Sequence, residues 1–159
     1  EMAQIARAGL RAPDHALLRP WRFVVIEGDR RDDFGVVLHE SLRLRGVTDE
    51  AQLTKSLKAP LRAPTLIAVM LNFKLHPKVD RNEQIGSAAS ATYAMLLAAN
   101  ALGYGSMWRT GQYATDPHVI EALGGSHQDE VIGFLYIGTR KGPSKNLPDL
   151  DPEDFLTHF

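Results

Sequence analysis

Two short segments of the chain carry an arginine next to apolar helices or strands, and one of them also carries a histidine. The first basic segment runs from Arg11 to His15, and the second basic segment runs from Trp108 to Thr110. A guanidinium group binds phosphate or carboxylate oxygens through two parallel hydrogen bonds. Arg109 stands in an otherwise apolar stretch, where an unpaired charge is costly, so it needs a partner. These residue types indicate that both segments are suited to binding an anionic group.

The sequence lacks the motifs that mark most other kinds of catalytic or binding site. The chain contains no cysteine, which excludes disulfides, thiolate metal ligands and cysteine nucleophiles. Its six histidines form no HExxH or other close ligand pair, so no metal site is predicted. There is no GxSxG, no GxxxxGK[ST] and no GxGxxG after a strand, so a serine nucleophile and the usual phosphate-binding loops are not indicated.

The composition is that of a globular domain. The 159 residues predict a single domain spanning the whole chain, 1–159, with 44% hydrophobic and 23% charged residues. A net charge of -1 argues against generic binding to nucleic acid or to an anionic membrane. Glu83, Gln84 and Asn100 interrupt the longest apolar stretch, so no membrane span is expected. The cytoplasm is the expected compartment.

The elements that position these segments mix helices and strands without regular βαβ alternation, which favours an α+β fold. Predicted strands are Phe23–Ile26, Thr65–Leu71, an extended segment at Met107–Arg109, and Val131–Ile137. Predicted helices are an N-terminal one ending before Pro13, one from an Asp29 cap to about Arg45, one beginning near Thr48–Glu50, Asn82 to Leu102, and Asp116 to Leu123.

The long helix from Asn82 is rich in alanine, glycine and serine, which lets a backbone or a flat ligand approach closely. It is expected at the centre of the fold. Its first expected role is to pack in the core or in a dimer interface, and its second is to form a groove that binds a nucleotide. At the C-terminus, Phe155, Leu156 and Phe159 are expected to dock on this domain or on a partner chain. The chain opens already in helical phase, so further residues are expected upstream in the natural protein.

Seven blocks in this order make the sequence resemble the nitroreductase family of FMN-dependent oxidoreductases, most closely its small YdjA-like branch. The resemblance runs over nearly the whole chain. The blocks are Arg11–His15, Arg19–Trp21 with Phe23–Ile26, Arg62–Pro64, Asn82–Gln84, Ala98–Gly103, Trp108–Thr110 and Gly133–Gly138.

The resemblance implies a nitroreductase-like fold, in which helices flank a central mixed or antiparallel sheet, and an intertwined homodimer with FMN at the subunit interface. The residues expected to bind FMN are Arg11, His15, Trp108, Arg109 and Thr110. The residues expected to bind NAD(P)H are Ala98, Ala99, Asn100, Ala101, Leu102 and Gly103. No separate catalytic residue is expected, because the flavin carries the redox chemistry.

The implied activity is hydride transfer from NAD(P)H, followed by reduction of a nitroaromatic, a quinone or a similar acceptor in a ping-pong mechanism. A flavin-storing protein and a degenerate dimeric module without reductase activity remain alternatives. The sequence departs from the family in two places. It lacks an Arg-Arg-Ser block ahead of the first helix, and Arg19 stands where many members have glutamine.

Local structural roles compete with the cofactor roles at several residues. The positive charge of Arg11 could instead interact with the last carbonyls of the first helix. His15 could instead be a turn residue that pairs with Asp14. Trp108 fits a core aromatic whose backbone remains free to contact flavin. Arg109 fits an internal ion pair with a carboxylate, and Glu83 fits an acidic residue placed at a helix start.

Overall fold

The computed structural model describes residues 1–143 and 146–159. Its centre is an antiparallel sheet of four strands in the order β1-β2-β4-β3. The strands are β1 (Trp21–Glu27), β2 (Thr65–Leu71), β3 (Gly105–Arg109) and β4 (Glu130–Gly138). The sheet and its flanking helices confirm the predicted α+β class. Strand β1 begins earlier than the predicted Phe23–Ile26, because Trp21 and Arg22 pair with the end of β2.

Five α-helices surround the sheet: α1 (Met2–Gly9), α2 (Arg30–Leu44), α3 (Glu50–Lys58), α4 (Arg81–Ala101) and α5 (Pro117–Ala122). Single 3-10 turns cover His15–Leu17, Pro60–Arg62 and Pro152–Phe155. Helix α3 begins within the predicted range Thr48–Glu50. Asp49 is its cap, since its carboxylate accepts a hydrogen bond from Ala51 N at 2.9 Å. Asp29 precedes α2 but makes no side-chain cap, because its backbone is already helical there.

The helices divide between the two faces of the sheet. On one face, α1 and α4 pack against Ile67 and Val69 of β2. On the other face, α2 and α5 pack against Leu66, Ala68 and Met70, with α3 resting on α2. Strand β2 is therefore buried on both faces, as its continuous apolar run predicts.

Helix α4 is the central helix, as its small residues predict. It crosses all four strands, and Ala88, Ala91 and Ala99 are fully buried against them. The small side chains at these positions let the helix lie close to the sheet, and Met95 on the same face fills the core. Its outer face carries Tyr93 and Leu97, which are 55% and 49% exposed.

The C-terminal segment does not dock on its own domain. Phe155 and Leu156 are 73% and 56% exposed, and Phe159 is fully exposed. Of the two alternatives for this apolar tip, packing on its own chain is therefore wrong. Within the described residues, no helix is both long and apolar enough to cross a membrane.

Candidate flavin site

The first basic segment lies beside the N-terminal half of α4. Ala12 packs against the cluster formed by buried Trp21 and the alanines of α4, which fixes the backbone at this point. His15 Nδ1 lies 2.7 Å from a carboxylate oxygen of Glu83. The alternative pairing of His15 with Asp14 is wrong, because the Asp14 carboxylate instead accepts a 2.6 Å hydrogen bond from Arg19 N.

The backbone that follows His15 is strained. Ala16, Leu17 and Arg19 have φ values of 62°, 53° and 50°, in the left-handed region that side chains with a Cβ avoid. Each such residue costs about 1–2 kcal/mol. Sequence patterns give no signal for this left-handed backbone, because no glycine or asparagine marks it. Strain of this kind is typical of backbone held for a function.

The second basic segment ends β3, a strand that pairs on one side only within the described residues. The Trp108 ring packs against the cluster of Met95 and Leu135, and its Nε1 donates to the Ile132 carbonyl at 3.3 Å. The interpretation of Trp108 as a packing aromatic is confirmed. Its backbone lies on the open edge of the sheet, where one side remains available for another group.

Arg109 points to the opposite face from the Trp108 ring. Its guanidinium lies over the ring of Tyr136, 5.9 Å from the centroid, and its Nε donates to Met107 Sδ at 3.3 Å. No carboxylate forms an ion pair with it in the described part of the chain. The alternative of an internal carboxylate partner is therefore wrong. Arg109 and Thr110 are both exposed.

A single chain does not bring the two basic segments together. The first leads into β1 at one edge of the sheet, and the second ends β3 at the other edge, with β2 and β4 between them. The first also lies on the α4 face, whereas the Arg109 side chain lies on the α2 face. In one chain, the two segments therefore lie at different edges and on different faces of the sheet.

The stretch expected to bind NAD(P)H forms the last turn of α4 and its end. Ala99 is fully buried against the sheet, whereas Ala101, Leu102 and Gly103 are exposed. Asn100 Nδ2 donates to Leu96 O at 3.0 Å and to Ser106 Oγ at 2.9 Å, which ties the helix end to β3. Gly103 ends the helix with φ 89°, a value that favours glycine.

The donor set fits a planar group that carries a phosphate. The side chains of Arg11 and Arg109 have no carboxylate partner within the described residues, and Thr110 adds an exposed hydroxyl. The free edge of β3 can offer backbone donors to ring heteroatoms. The sequence places Glu83 at the start of a helix, but it gives no signal that Glu83 is the partner of His15.

The comparisons with known proteins agree with the resemblance. The model of the Nitroreductase family matches residues 1–139. "Putative NAD(P)H nitroreductase YdjA" of Escherichia coli strain K12 is 43% identical over 162 residues, covering all of this chain and 87% of the relative.

Two solved structures share the fold. A nitroreductase-like family protein from Bacillus cereus matches with a TM-score of 0.84 at 20% identity, covering 99% of this chain and 83% of that one. A nitroreductase with bound FMN from Bacteroides fragilis matches with a TM-score of 0.70 at 22% identity, covering 99% and 86%. The predicted family and the nitroreductase-like fold are confirmed: this chain belongs to the nitroreductase family.

Proposed function

We propose that this chain is an FMN-dependent oxidoreductase that takes hydride from NAD(P)H and reduces a nitroaromatic, a quinone or a similar acceptor. One observation carries the proposal: two exposed cationic segments lie at opposite edges of one sheet. We propose that they meet at a site shared by two copies of the chain. The FMN in the structure from Bacteroides fragilis and the NAD(P)H in the name of the relative from Escherichia coli support it.

The proposed FMN contacts divide between two subunits. Arg11 and His15 of one chain would face Trp108, Arg109 and Thr110 of the other. The Arg11 guanidinium would bind an anionic oxygen, and Glu83 would orient the His15 ring through the 2.7 Å contact. Trp108 would contribute its edge backbone, because its ring is held in the core. Bound FMN would supply the hydride-accepting ring, while positive groups near it favour its reduced, anionic form.

The nicotinamide nucleotide would lie along the exposed side of Ala98–Gly103. Ala99 faces the sheet, so the contacts would come from the backbone and from Asn100, Ala101 and Leu102. NAD(P)H and the electron acceptor would use the same open face of the flavin one after the other, which gives ping-pong kinetics. Initial-rate plots at several acceptor concentrations should then give parallel lines, and intersecting lines would contradict this mechanism.

The dimer is part of the same proposal. Tyr93 and Leu97 on the outer face of α4 and the exposed Phe155, Leu156 and Phe159 are apolar surface that a second copy would cover. This arrangement takes residues 1–159 as one domain that intertwines with its partner. We place the protein in the cytoplasm.

A mixed dimer tests whether the two segments meet across the interface. Chains carrying Arg11→Gln and Arg109→Gln would be co-expressed with different affinity tags, and the mixed dimer isolated through both tags. If each site uses Arg11 of one chain and Arg109 of the other, one site has both substitutions and the other has neither. At an FMN concentration that leaves both variant homodimers mostly empty, the mixed dimer should hold about half of the wild-type flavin, read from its visible absorbance.

Two results would contradict the shared flavin site, and two more would contradict the oxidoreductase activity. A mixed dimer as empty as both homodimers would mean that both arginines serve one site from the same chain. Full flavin occupancy in both homodimers would mean that neither guanidinium binds FMN. A wild-type protein that binds FMN but does not oxidise NAD(P)H with any nitro or quinone acceptor would favour the flavin-storing alternative. A wild-type protein that binds no FMN would favour the degenerate module.

A further inference from the structure

A cleft of about 220 Å³ opens on the face of the sheet away from α4. It lies between α2, α3, the segment after β3, and β4. Its aromatic lining comes from Phe34, Tyr113, Phe134 and Tyr136. Phe34 and Phe134 are buried and their rings lie 5.8 Å apart, so the floor is a rigid aromatic surface. We name this feature the cationic cleft, for the charges at its rim.

Three basic side chains form that rim: Lys55 of α3, Arg62 before β2, and Arg109 at the end of β3. All three are exposed, and no aspartate or glutamate lines the cleft. Within residues 1–143 and 146–159, none of the three forms an ion pair with a carboxylate. The rim is therefore a cluster of positive charges that no carboxylate in the described part of the chain neutralises.

The two tyrosines add polar groups to the aromatic wall. Burial raises the pKa of Tyr136, although nearby Arg109 and Arg62 act in the opposite direction. Burial also raises the pKa of Tyr113. Both phenols therefore stay neutral at physiological pH, and each keeps a hydroxyl that can donate a hydrogen bond. Aromatic surface, phenolic donors and guanidinium groups together suit a flat ligand with an anionic end.

We propose that the cationic cleft binds the carboxylate of a one-ring aromatic acid. The ring would lie against Phe134 and Tyr136, and the carboxylate would face Arg62 and Lys55. The volume is below the range of about 300–1,000 Å³ typical of sites for drug-sized ligands, so a single ring fits better than a larger one. The cleft shares Arg109 and Thr110 with the second basic segment but draws its other residues from elsewhere.

Fluorine NMR with 4-fluorobenzoate tests this proposal on the protein as purified, with its flavin. Binding is read from the concentration-dependent shift and broadening of the ¹⁹F signal. The neutral analogue 4-fluorobenzamide has the same ring without the charge. Acetate has the charge without the ring, and its binding is read from its displacement of 4-fluorobenzoate. We expect 4-fluorobenzoate to bind about tenfold more tightly than either, which corresponds to ~1.4 kcal/mol and matches a charge-assisted contact at an exposed rim.

Substitutions locate the binding. Arg62→Gln and Lys55→Gln should each weaken 4-fluorobenzoate binding about three- to tenfold. Arg62→Lys should fall between wild type and Arg62→Gln, because it keeps the charge but loses the bidentate fork. Lys58→Gln is the matched control, since Lys58 is also an exposed lysine of α3 but does not line the cleft. It should bind like wild type.

Three results would overturn the proposal. One is equal binding of 4-fluorobenzamide and 4-fluorobenzoate, or no binding of either. Another is unchanged affinity in both Arg62→Gln and Lys55→Gln while their circular dichroism shows them folded. The last is release of FMN, seen as a rise in flavin fluorescence on adding 4-fluorobenzoate, which would make the cleft part of the flavin site. Because the readout needs no electron transfer, its failure leaves the proposed oxidoreductase activity untouched.

Discussion

The two basic segments offer similar chemistry but are held in place by different means. The second segment is the end of a strand, and its Trp108 ring is packed against Leu135 on the neighbouring strand. The first segment lies between α1 and β1, and it is shaped by the left-handed residues that follow it and by the His15–Glu83 contact. Pairing and packing therefore fix one half of the proposed site, whereas a strained turn and a surface hydrogen bond shape the other half.

This difference predicts where the proposed site is fragile. A densely packed core has little free volume, so a side chain that no longer fits displaces its neighbours and lowers stability. A surface contact between polar side chains contributes little to folding, about 0–1 kcal/mol, but it can still orient a ring that binds a ligand. Changes under the second segment should therefore act on stability first, and changes near the first segment should act on flavin affinity first.

The largest effect is expected from Gly133→Ala, beneath the second segment. A Cβ at this position would lie 2.0 Å from Trp108 Nε1, so the rigid indole must move. We expect the free energy of unfolding to fall by about 2–3 kcal/mol in chemical denaturation. Gly86→Ala is the matched control, because a Cβ there meets nothing within 4 Å and helix α4 gains from alanine.

A second substitution separates the clash from other causes. In a Trp108→Leu background, Gly133→Ala should cost clearly less than it costs alone, since the clashing ring is absent. An equal cost in both backgrounds would mean that Trp108 is not what Gly133 accommodates. The second segment would then not depend on this packing.

Asp129→Asn should have the next largest effect, because Asp129 precedes β4, the strand that holds β3 in the sheet. Its carboxylate accepts hydrogen bonds from Ser126 N at 2.7 Å and Phe73 N at 2.9 Å. Burial acts to raise the pKa of Asp129, but these bonds outweigh it and leave the pKa lowered. We expect a loss of about 1 kcal/mol at neutral pH, measured by thermal and chemical unfolding.

The pH dependence of this loss follows from the lowered pKa. The folded state holds the proton more weakly than the unfolded chain, so the stabilisation is present above the ordinary value of 3.8. It is lost as the pH falls through the folded-state pKa. Wild type and Asp129→Asn should therefore converge in stability under acid conditions. A difference that stays constant down to acid pH would show that the carboxylate charge is not involved.

Glu83→Gln should act on the first segment with a smaller effect. It removes the charge that faces His15 at 2.7 Å, at a half-exposed position. We expect FMN affinity to fall about two- to threefold and stability to change by less than ~0.5 kcal/mol. Flavin titration and thermal unfolding measure the two quantities separately. Glu121→Gln, an exposed carboxylate on α5, is the control; a similar loss of affinity there would argue for a general charge effect.

The smallest effect is expected from Ala16→Gly. Glycine releases the left-handed strain at φ 62° but also gives the unfolded chain more freedom. The net expected gain in stability is about 0.5 kcal/mol or less. Ala8→Gly in right-handed α1 should instead lose about 1 kcal/mol. If both variants lose stability equally, the turn after His15 is not strained, and the contrast between the two segments disappears.

Local patterns were enough to predict most of the fold. The unbroken apolar run Thr65–Leu71 predicts a strand buried on both faces, and the small residues of α4 predict a helix packed closely on the sheet. The cap at Asp49 was predictable because its contacts lie within three residues. Asp29 was not, since the turn before α2 already has helical backbone, which no local pattern indicates.

The candidate site was predictable as a list of residues, but its arrangement was not. Arg11 and Arg109 are visible as cations beside apolar elements. The partner of His15 is 68 residues away at Glu83, and the Arg109 side chain lies on the face opposite the Trp108 ring. Both facts depend on how the sheet is ordered and on which face each strand residue points to.

The sequence by itself determined the family, the α+β class and the residue types available for binding, because these depend on composition, periodicity and the order of motifs. Only the tertiary structure decided that the two basic segments lie at opposite edges of the sheet, and that Lys55, Arg62 and Arg109 share one cleft. The physical reason is that contacts between distant residues follow from strand order and side-chain direction, which local propensities do not encode.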